Sequence, residues 1–235
     1  MDTTEILKSV PLFANLADEQ LRQLAAVATL RRFPRSTFIM RAGEETDGLY
    51  ILLSGRAKVL IPDEEGHEVI LAVMRPREFF GEMGLLDDQP RSASVETLEP
   101  CELVRVSKAD FMRCLGSNME LAMRIIRNLV RRLREADRQI ESLALMDVYG
   151  RVARVLLDLC EMIDGKRVIL KAPPKQEIAR MIGASREMVS RVMKDLQITG
   201  HIRCDKRRIV LTDKLPKTGR DLHALQRPSG ATSAL

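Results

Sequence analysis

Apolar and polar positions divide the chain into three regimes. Between about Arg31 and Val106, short apolar runs alternate with turn residues: Phe38-Ile39-Met40, Leu49 to Leu53, Ala57 to Ile61, Val69 to Val73, then Val95 and Leu103 to Val106. Gly43, Gly48, Gly55, Gly66, Gly81 and Gly84 fall between or beside them. Strands this short at regular spacing predict an antiparallel sandwich or roll. Ile61-Pro62-Asp63-Glu64-Glu65-Gly66-His67 has the composition of a hairpin tip. Ahead of this regime, Ile6 to Leu30 is expected to be helical, with Asp18 as N-cap and Leu21, Leu24 and Val27 on one face.

The second regime predicts one long helix, about Asn118 to Asp147, with no proline inside it. Met119, Ala122, Ile126, Leu129, Leu133, Ala136, Ile140 and Leu143 succeed one another in alternating steps of 3 and 4. That beat is the seam of a two-stranded coiled coil and predicts a homodimer. Six arginines between Arg124 and Arg138 lie mostly outside this seam, where water can solvate them.

The third regime, Val148 to about Leu211, reads as helix, short strand, helix, turn, helix, hairpin. The tail from Asp213 to Leu235 is rich in Pro, Gly, Ser, Thr and Lys and is expected to be disordered. These patterns suggest divisions at 1–115, 116–147, 148–212 and 213–235.

Charge adds a second asymmetry. Residues 1–115 carry 14 Lys/Arg against 19 Asp/Glu, whereas residues 150–235 carry 18 against 9. A mildly acidic first half joined to a basic last third points the latter at a polyanion. No apolar stretch reaches the ~20 residues a membrane span needs. The segment Met1 to Val10 lacks the basic start and long apolar core of a secretion signal, so a cytoplasmic protein is expected. Cys101, Cys114, Cys160 and Cys204 are too widely spaced for a zinc site, a cluster or a disulfide scaffold. No metal is expected.

Two motifs carry chemistry. The first is Phe80-Gly81-Glu82-Met83-Gly84-Leu85-Leu86-Asp87-Asp88-Gln89-Pro90-Arg91-Ser92-Ala93. Its glycines let backbone N–H groups approach a ligand, and Arg91 supplies a forked cation for a phosphate. Glu82 is an acceptor, suited to a sugar hydroxyl and not to a phosphate, so the loop fits a ribose-phosphate. The competing reading is a structural ion pair between Glu82 and Arg91. The second motif runs from Lys175 to Lys194. Ile178, Ala179 and Ile182 line the inside of one helix, Gly183 turns, and Ser185 caps a second helix packed through Val189, Val192 and Met193. The exposed stripe of that second helix is Arg186, Glu187, Ser190, Arg191 and Lys194, which is the pattern of a helix-turn-helix with a polar recognition face.

With both motifs in view, the chain resembles the cyclic-AMP receptor protein/FNR family of bacterial transcription regulators over about residues 6–211. Arg41-Ala42-Gly43-Glu44, Leu49 to Gly55, Pro62 to Gly66 and Leu145-Met146-Asp147-Val148-Tyr149-Gly150-Arg151 add to the match. The resemblance implies an α+β chain: a cyclic-nucleotide-binding β-roll, a long coiled-coil dimerisation helix, and a winged helix-turn-helix. It implies double-stranded DNA, a second copy of the chain and RNA polymerase as partners, although the loop near Glu161 to Arg167 is shorter than the region that touches polymerase in the cyclic-AMP receptor protein. Glu82 then matches the ribose 2′-hydroxyl acceptor, Arg91 and Ser92 match the groups that hold the cyclic phosphate, and Gly81, Met83, Gly84 and Ala93 lie around them. Gln176, Ser185, Arg186, Glu187, Ser190, Arg191 and Lys194 fall on the DNA-binding positions, and Arg186, Glu187 and Arg191 repeat the pattern that reads a TGTGA half-site.

One departure stands out. Where the cyclic-AMP receptor protein has a Thr-Ser pair reaching adenine, this chain has Ala136-Asp137. Asp137 offers only acceptors, and guanine presents two adjacent donors. Cyclic GMP and cyclic di-GMP therefore rival cyclic AMP as the effector. Two further readings remain: a regulator that binds DNA without any ligand, and an enzyme of cyclic-nucleotide metabolism. The enzyme is disfavoured because His67, His201 and His223 give no metal spacing.

Overall fold

In the computed structural model, which describes residues 3–62, 68–205, 208–212 and 215, the amino-terminal unit (1–133) opens with α1 (Thr3–Lys8) and α2 (Asp18–Val27). The expected single helix from Ile6 to Leu30 is therefore broken. Hydrogen-bonded turns occupy Ser9 to Leu16, the N-cap is Ala17 and not Asp18, and Leu30 enters a strand. Leu21 and Leu24 are buried as expected, but Val27 is exposed.

Two antiparallel sheets come next. One has the order β1 (Thr29–Phe33), β8 (Cys101–Ser107), β3 (Gly48–Ser54), β6 (Phe79–Phe80). The other has the order β2 (Phe38–Met40), β7 (Ser94–Thr97), β4 (Ala57–Pro62), β5 (Glu68–Met74). Pro62 pairs with Glu68, so β4 and β5 form a hairpin whose expected tip, 63–67, lies outside the described residues.

β3 is apolar almost throughout because both of its faces are covered. Leu49 and Ile51 join Val104 and Val106 in a core shared with α1 and α2. Tyr50 and Leu52 face the other way, with Leu103, Ile39, Val95 and Phe80, into the space between the sheets. The helices α3 (Met83–Leu86) and α4 (Lys108–Gly116) complete this part.

The long helix α5 spans Met119–Leu145. It has two apolar stripes. Leu121 and Ile125 are buried in the unit's core, and Leu129 packs against it. The exposed stripe is Met119, Met123, Ile126, Val130 and Leu133. The expected seam is corrected accordingly: Leu129 turns inward and Ala122 is half-buried, whereas Met123 and Val130 face out. Further along, Ala136, Ile140 and Leu143 are exposed.

The second unit (134–235) contains α6 (Val148–Leu159), α7 (Lys175–Ile182) and α8 (Arg186–Ile198). Asp147 caps α6 through Gly150 N, which restarts the chain as a new helix after α5. A four-stranded sheet, ordered β11 (Ile202–Asp205), β12 (Arg208–Leu211), β10 (Lys166–Ile169), β9 (Glu161–Ile163), packs beside the helices, so the expected single strand before α7 is a hairpin. Apart from Leu215, the tail from Asp213 onward lies outside the described residues. No described helix is long and apolar enough to cross a membrane.

Candidate effector pocket and nucleic-acid interface

β6 delivers the chain to Gly81, whose φ of +86° suits a residue without a side chain. A Cβ there would collide with Nη1 of Arg91. The turn drops Glu82 at the head of α3 and brings Arg91 back beside it. A cavity of about 70 Å³ results, lined by Gly81, Glu82, Met83, Gly84, Arg91, Ser92 and Ala93, together with Arg132 from α5. Seven of the expected effector-site residues thus converge on one hollow. Ala136 and Asp137 are exposed on α5 and are not among its lining residues.

The two charged residues of the motif do not pair with each other. Arg91, only 4% exposed, donates from Nη1 to Gly81 O at 2.8 Å and from Nη2 to Gly48 O and Asp47 Oδ1, each at 2.7 Å. Glu82, 0% exposed, accepts from Arg132 Nη1 at 2.7 Å on Oε1. Arg132 also donates to Phe79 O at 2.5 Å. Burial pushes the Glu82 carboxyl above its ordinary range, against the opposing pull of Arg132, its own backbone hydrogen bond and Arg91.

Two buried polar atoms in this hollow have no hydrogen-bond partner: Oε2 of Glu82 and Nε of Arg91. An unpartnered buried donor or acceptor is costly, and these two offer the cavity they line one acceptor and one donor. A ribose hydroxyl donates to a carboxylate and a phosphate oxygen accepts from a guanidinium. The residues present therefore fit the ribose-phosphate half of a cyclic nucleotide.

Arg132 was not visible as a site residue from the sequence, where the arginines of the long helix read as solvated. The usable signal was spacing: Arg132 comes after Leu121, Ile125 and Leu129 in steps of 4, 4 and 3, on the buried side of α5. Arg124 is likewise not solvated but half-buried, donating to Pro11 O and Glu120.

In the second unit, Ile178, Ala179 and Ile182 of α7 are buried against Val189, Val192 and Met193 of α8. Gly183 makes the turn at φ +59°, and Ser185 Oγ accepts from Met188 N to cap α8. Gln176, Ser185, Arg186, Glu187, Arg191 and Lys194 are all exposed. Ser190 is half-buried and accepts from Lys175 Nζ at 2.9 Å, so these two partly occupy each other. Lys175, Ser190, Lys194 and Gln197 line a broad groove of about 620 Å³ beside this face. Behind it, the Tyr149 hydroxyl of α6 donates to Asp195, bracing α8. A rigid helix with arginine and carboxylate side chains on one exposed stripe is equipped to reach base edges in a major groove.

Comparison with known proteins agrees in both halves. A cyclic nucleotide-binding domain family matches residues 30–118, and a Crp-like helix-turn-helix domain family matches residues 150–214. The cAMP-activated global transcriptional regulator CRP of Pasteurella multocida is 35% identical over 187 residues, covering 77% of this chain and 88% of that protein. The cAMP-activated global transcriptional regulator Vfr of Pseudomonas aeruginosa is 35% identical over 192 residues, again covering 77% of this chain and 88% of that protein. Among solved structures, the c-di-GMP responsive global regulator CLP of Xanthomonas campestris is similar at a TM-score of 0.71 and 29% identity, covering 84% of this chain and 100% of that one.

Proposed function

The chain belongs to the CRP/FNR family of cyclic-nucleotide-binding, DNA-binding transcription regulators, and from that premise we propose that it acts in the cytoplasm as a homodimer on inverted, TGTGA-like half-sites under the control of a cyclic nucleotide. The relatives are regulators and not enzymes. The observation that carries the effector reading is the pair of unpartnered atoms, Glu82 Oε2 and Arg91 Nε, in one buried hollow. Glu82 would take the ribose hydroxyl and Arg91, with Ser92 beside it, the phosphate; Gly81, Met83, Gly84 and Ala93 would shape the cradle. When bound, the nucleotide supplies a buried anion and a sugar hydroxyl, and the chain's own part is to hold both.

Cyclic AMP is the first candidate, since the 35%-identical relatives carry that activator in their names. A guanine cyclic nucleotide is the second, because the resemblance assigns positions 136 and 137 to the base and Asp137 is acceptor-only. Dimerisation would use the exposed stripe of α5, with Ile126, Leu133, Ile140 and Leu143 in it and Ala136 small enough for close approach. Arg186 and Arg191 would each grip a guanine through O6 and N7, and Glu187 would accept from a cytosine amino group. RNA polymerase is the expected downstream partner.

Calorimetry against cyclic AMP, cyclic GMP and cyclic di-GMP tests the effector, with Glu82→Gln as the control that should lose binding. No heat with any of the three would leave a ligand-independent regulator. A selection from random DNA tests the site, and an enriched motif without an inverted TGTGA-like repeat would remove the half-site assignment.

A further inference from the structure

The phosphate-facing arginine does not stand alone. Both terminal nitrogens of Arg91 are engaged on carbonyls or on Asp47, and the unpartnered nitrogen is Nε. Asp47 in turn uses its other oxygen for Arg105, whose Nε donates to Asp47 Oδ2 at 2.8 Å while Nη2 donates to Asp47 O at 3.0 Å. The Tyr50 hydroxyl adds a bond to Asp47 Oδ2 at 3.2 Å, and its ring lies 5.7 Å from the Arg91 guanidinium. Neither Asp47 nor Arg105 lines the cavity. The side chains are 26% exposed at Arg105, 48% at Asp47 and 2% at Arg91, so two partly exposed residues hold a buried guanidinium.

We propose that Asp47 and Arg105 are positioning residues for the effector phosphate, a chain in which Arg105 fixes Asp47 and Asp47 fixes the Arg91 guanidinium so that its Nε remains the free donor. The inference rests on the reading of Arg91 as the phosphate-binding group. Its logic is geometric. A guanidinium on a flexible stem loses binding when it must be ordered by the ligand, whereas one held by a carboxylate and two carbonyls is ordered beforehand.

The sign of the Asp47 effect separates positioning from simple charge. Removing a carboxylate beside a phosphate site lessens repulsion, so Coulomb's law alone makes any anion bind more tightly to Asp47→Ala. Positioning makes it bind less tightly, by about tenfold on the scale of groups that orient ligand-binding residues. Asp47→Asn, which keeps an acceptor for Arg91, should lie between Asp47→Ala and the parent. Arg105→Gln should weaken binding by a smaller factor, acting through Asp47.

The test uses the full chain with the Sp and Rp phosphorothioate diastereomers of cyclic AMP and of cyclic GMP, which differ only in which exocyclic oxygen is sulfur. Loss of Arg91 orientation should bring the Sp-to-Rp affinity ratio toward one in Asp47→Ala and partway in Arg105→Gln. Tighter or unchanged binding, or equal weakening of both diastereomers, would overturn the proposal. A second readout needs no nucleotide: the Nε–Hε resonance of Arg91, assigned by its loss in Arg91→Lys. It should exchange faster with water in Asp47→Ala and Arg105→Gln, and an unaltered resonance in both would also overturn the proposal. A parent protein that binds none of the four analogues would count against the effector reading, and the resonance would then decide the positioning chain alone. Asp47→Asn and Arg105→Gln carry the same comparisons where Asp47→Ala does not fold.

Discussion

Replacing Arg91 by alanine should unsettle the fold of its own unit as well as its ligand affinity. The side chain is 4% exposed and makes bonds at 2.8, 2.7 and 2.7 Å to Gly81 O, Gly48 O and Asp47. In Arg91→Ala the Asp47 carboxylate keeps Arg105 and Tyr50, so no bare charge is left behind. The two glycine carbonyls lose their guanidinium donor. A buried polar group without a partner costs ~1–3 kcal/mol, which puts the loss at roughly 2–4 kcal/mol after partial solvation of the vacated space. Against a domain stability of ~5–15 kcal/mol, that is a large fraction. The expected fall in Tm is about 10 °C. Scanning calorimetry without nucleotide checks it, since any fall then cannot come from lost ligand. A Tm within about 2 °C of the parent would refute the reasoning, because three short bonds to a buried cation would then be doing nothing for the fold. Arg91→Lys should recover little, as an ammonium cannot span three acceptors in one plane.

Contacts elsewhere in the molecule set three more outcomes. Leu133→Asp places a carboxylate in the exposed stripe of α5, and sedimentation should find monomers; an undiminished dimer would move the interface elsewhere. Glu187→Ala should relax preference at one base pair by ~1–3 kcal/mol, whereas Lys194→Ala should weaken all sequences alike, as binding across a panel of mutated sites would reveal. The bond to Asp195, then burial, pushes the Tyr149 phenol up to about 12, and burial with Asp47 raises Tyr50. Because the native state then holds these protons more tightly than the unfolded chain, the stabilisation is complete below about pH 10 and fades as pH climbs toward 12. An ultraviolet titration should show little tyrosinate at pH 10, where a free phenol is half ionised; a half-ionised Tyr149 there would contradict the Asp195 bond.

Legibility varied with how each residue earns its place. β2, β3, β4 and β8 were visible because burial imposes apolar runs, β5 because Val69 to Val73 is apolar although Val69 and Leu71 are exposed, and β7 only through Val95. The helix-turn-helix was visible because a cap, a turn glycine and two inner faces must all agree. β1 was hidden because Thr29, Leu30, Arg31 and Arg32 are all exposed, leaving no apolar pattern to read, and β6 because it has only two residues. The break after Lys8 was hidden because Val10, Leu12, Phe13 and Leu16 are buried by a turn-rich segment that happens to share helical spacing. Glu82 and Arg91 were found, but their true partners, Arg132 and Asp47, were not. Those pairings depend on how distant segments meet, and no local period encodes that.

The two-sided character of α5 also bears on how this protein can change over generations. Between Leu121 and Arg132 one helix meets the core on one side and presents an apolar stripe on the other, ending with a guanidinium on Glu82. One residue added after Ile125 would turn the remainder of the helix by about 100°, putting Asn128 where Leu129 packs and Arg132 where Leu133 stands. A whole added heptad would nearly restore the angle, but it would carry Arg132 about 10 Å along the axis, out of reach of Glu82. This stretch is thus constrained in length as well as in its inward-facing residues, and insertions or deletions within it should be selected against.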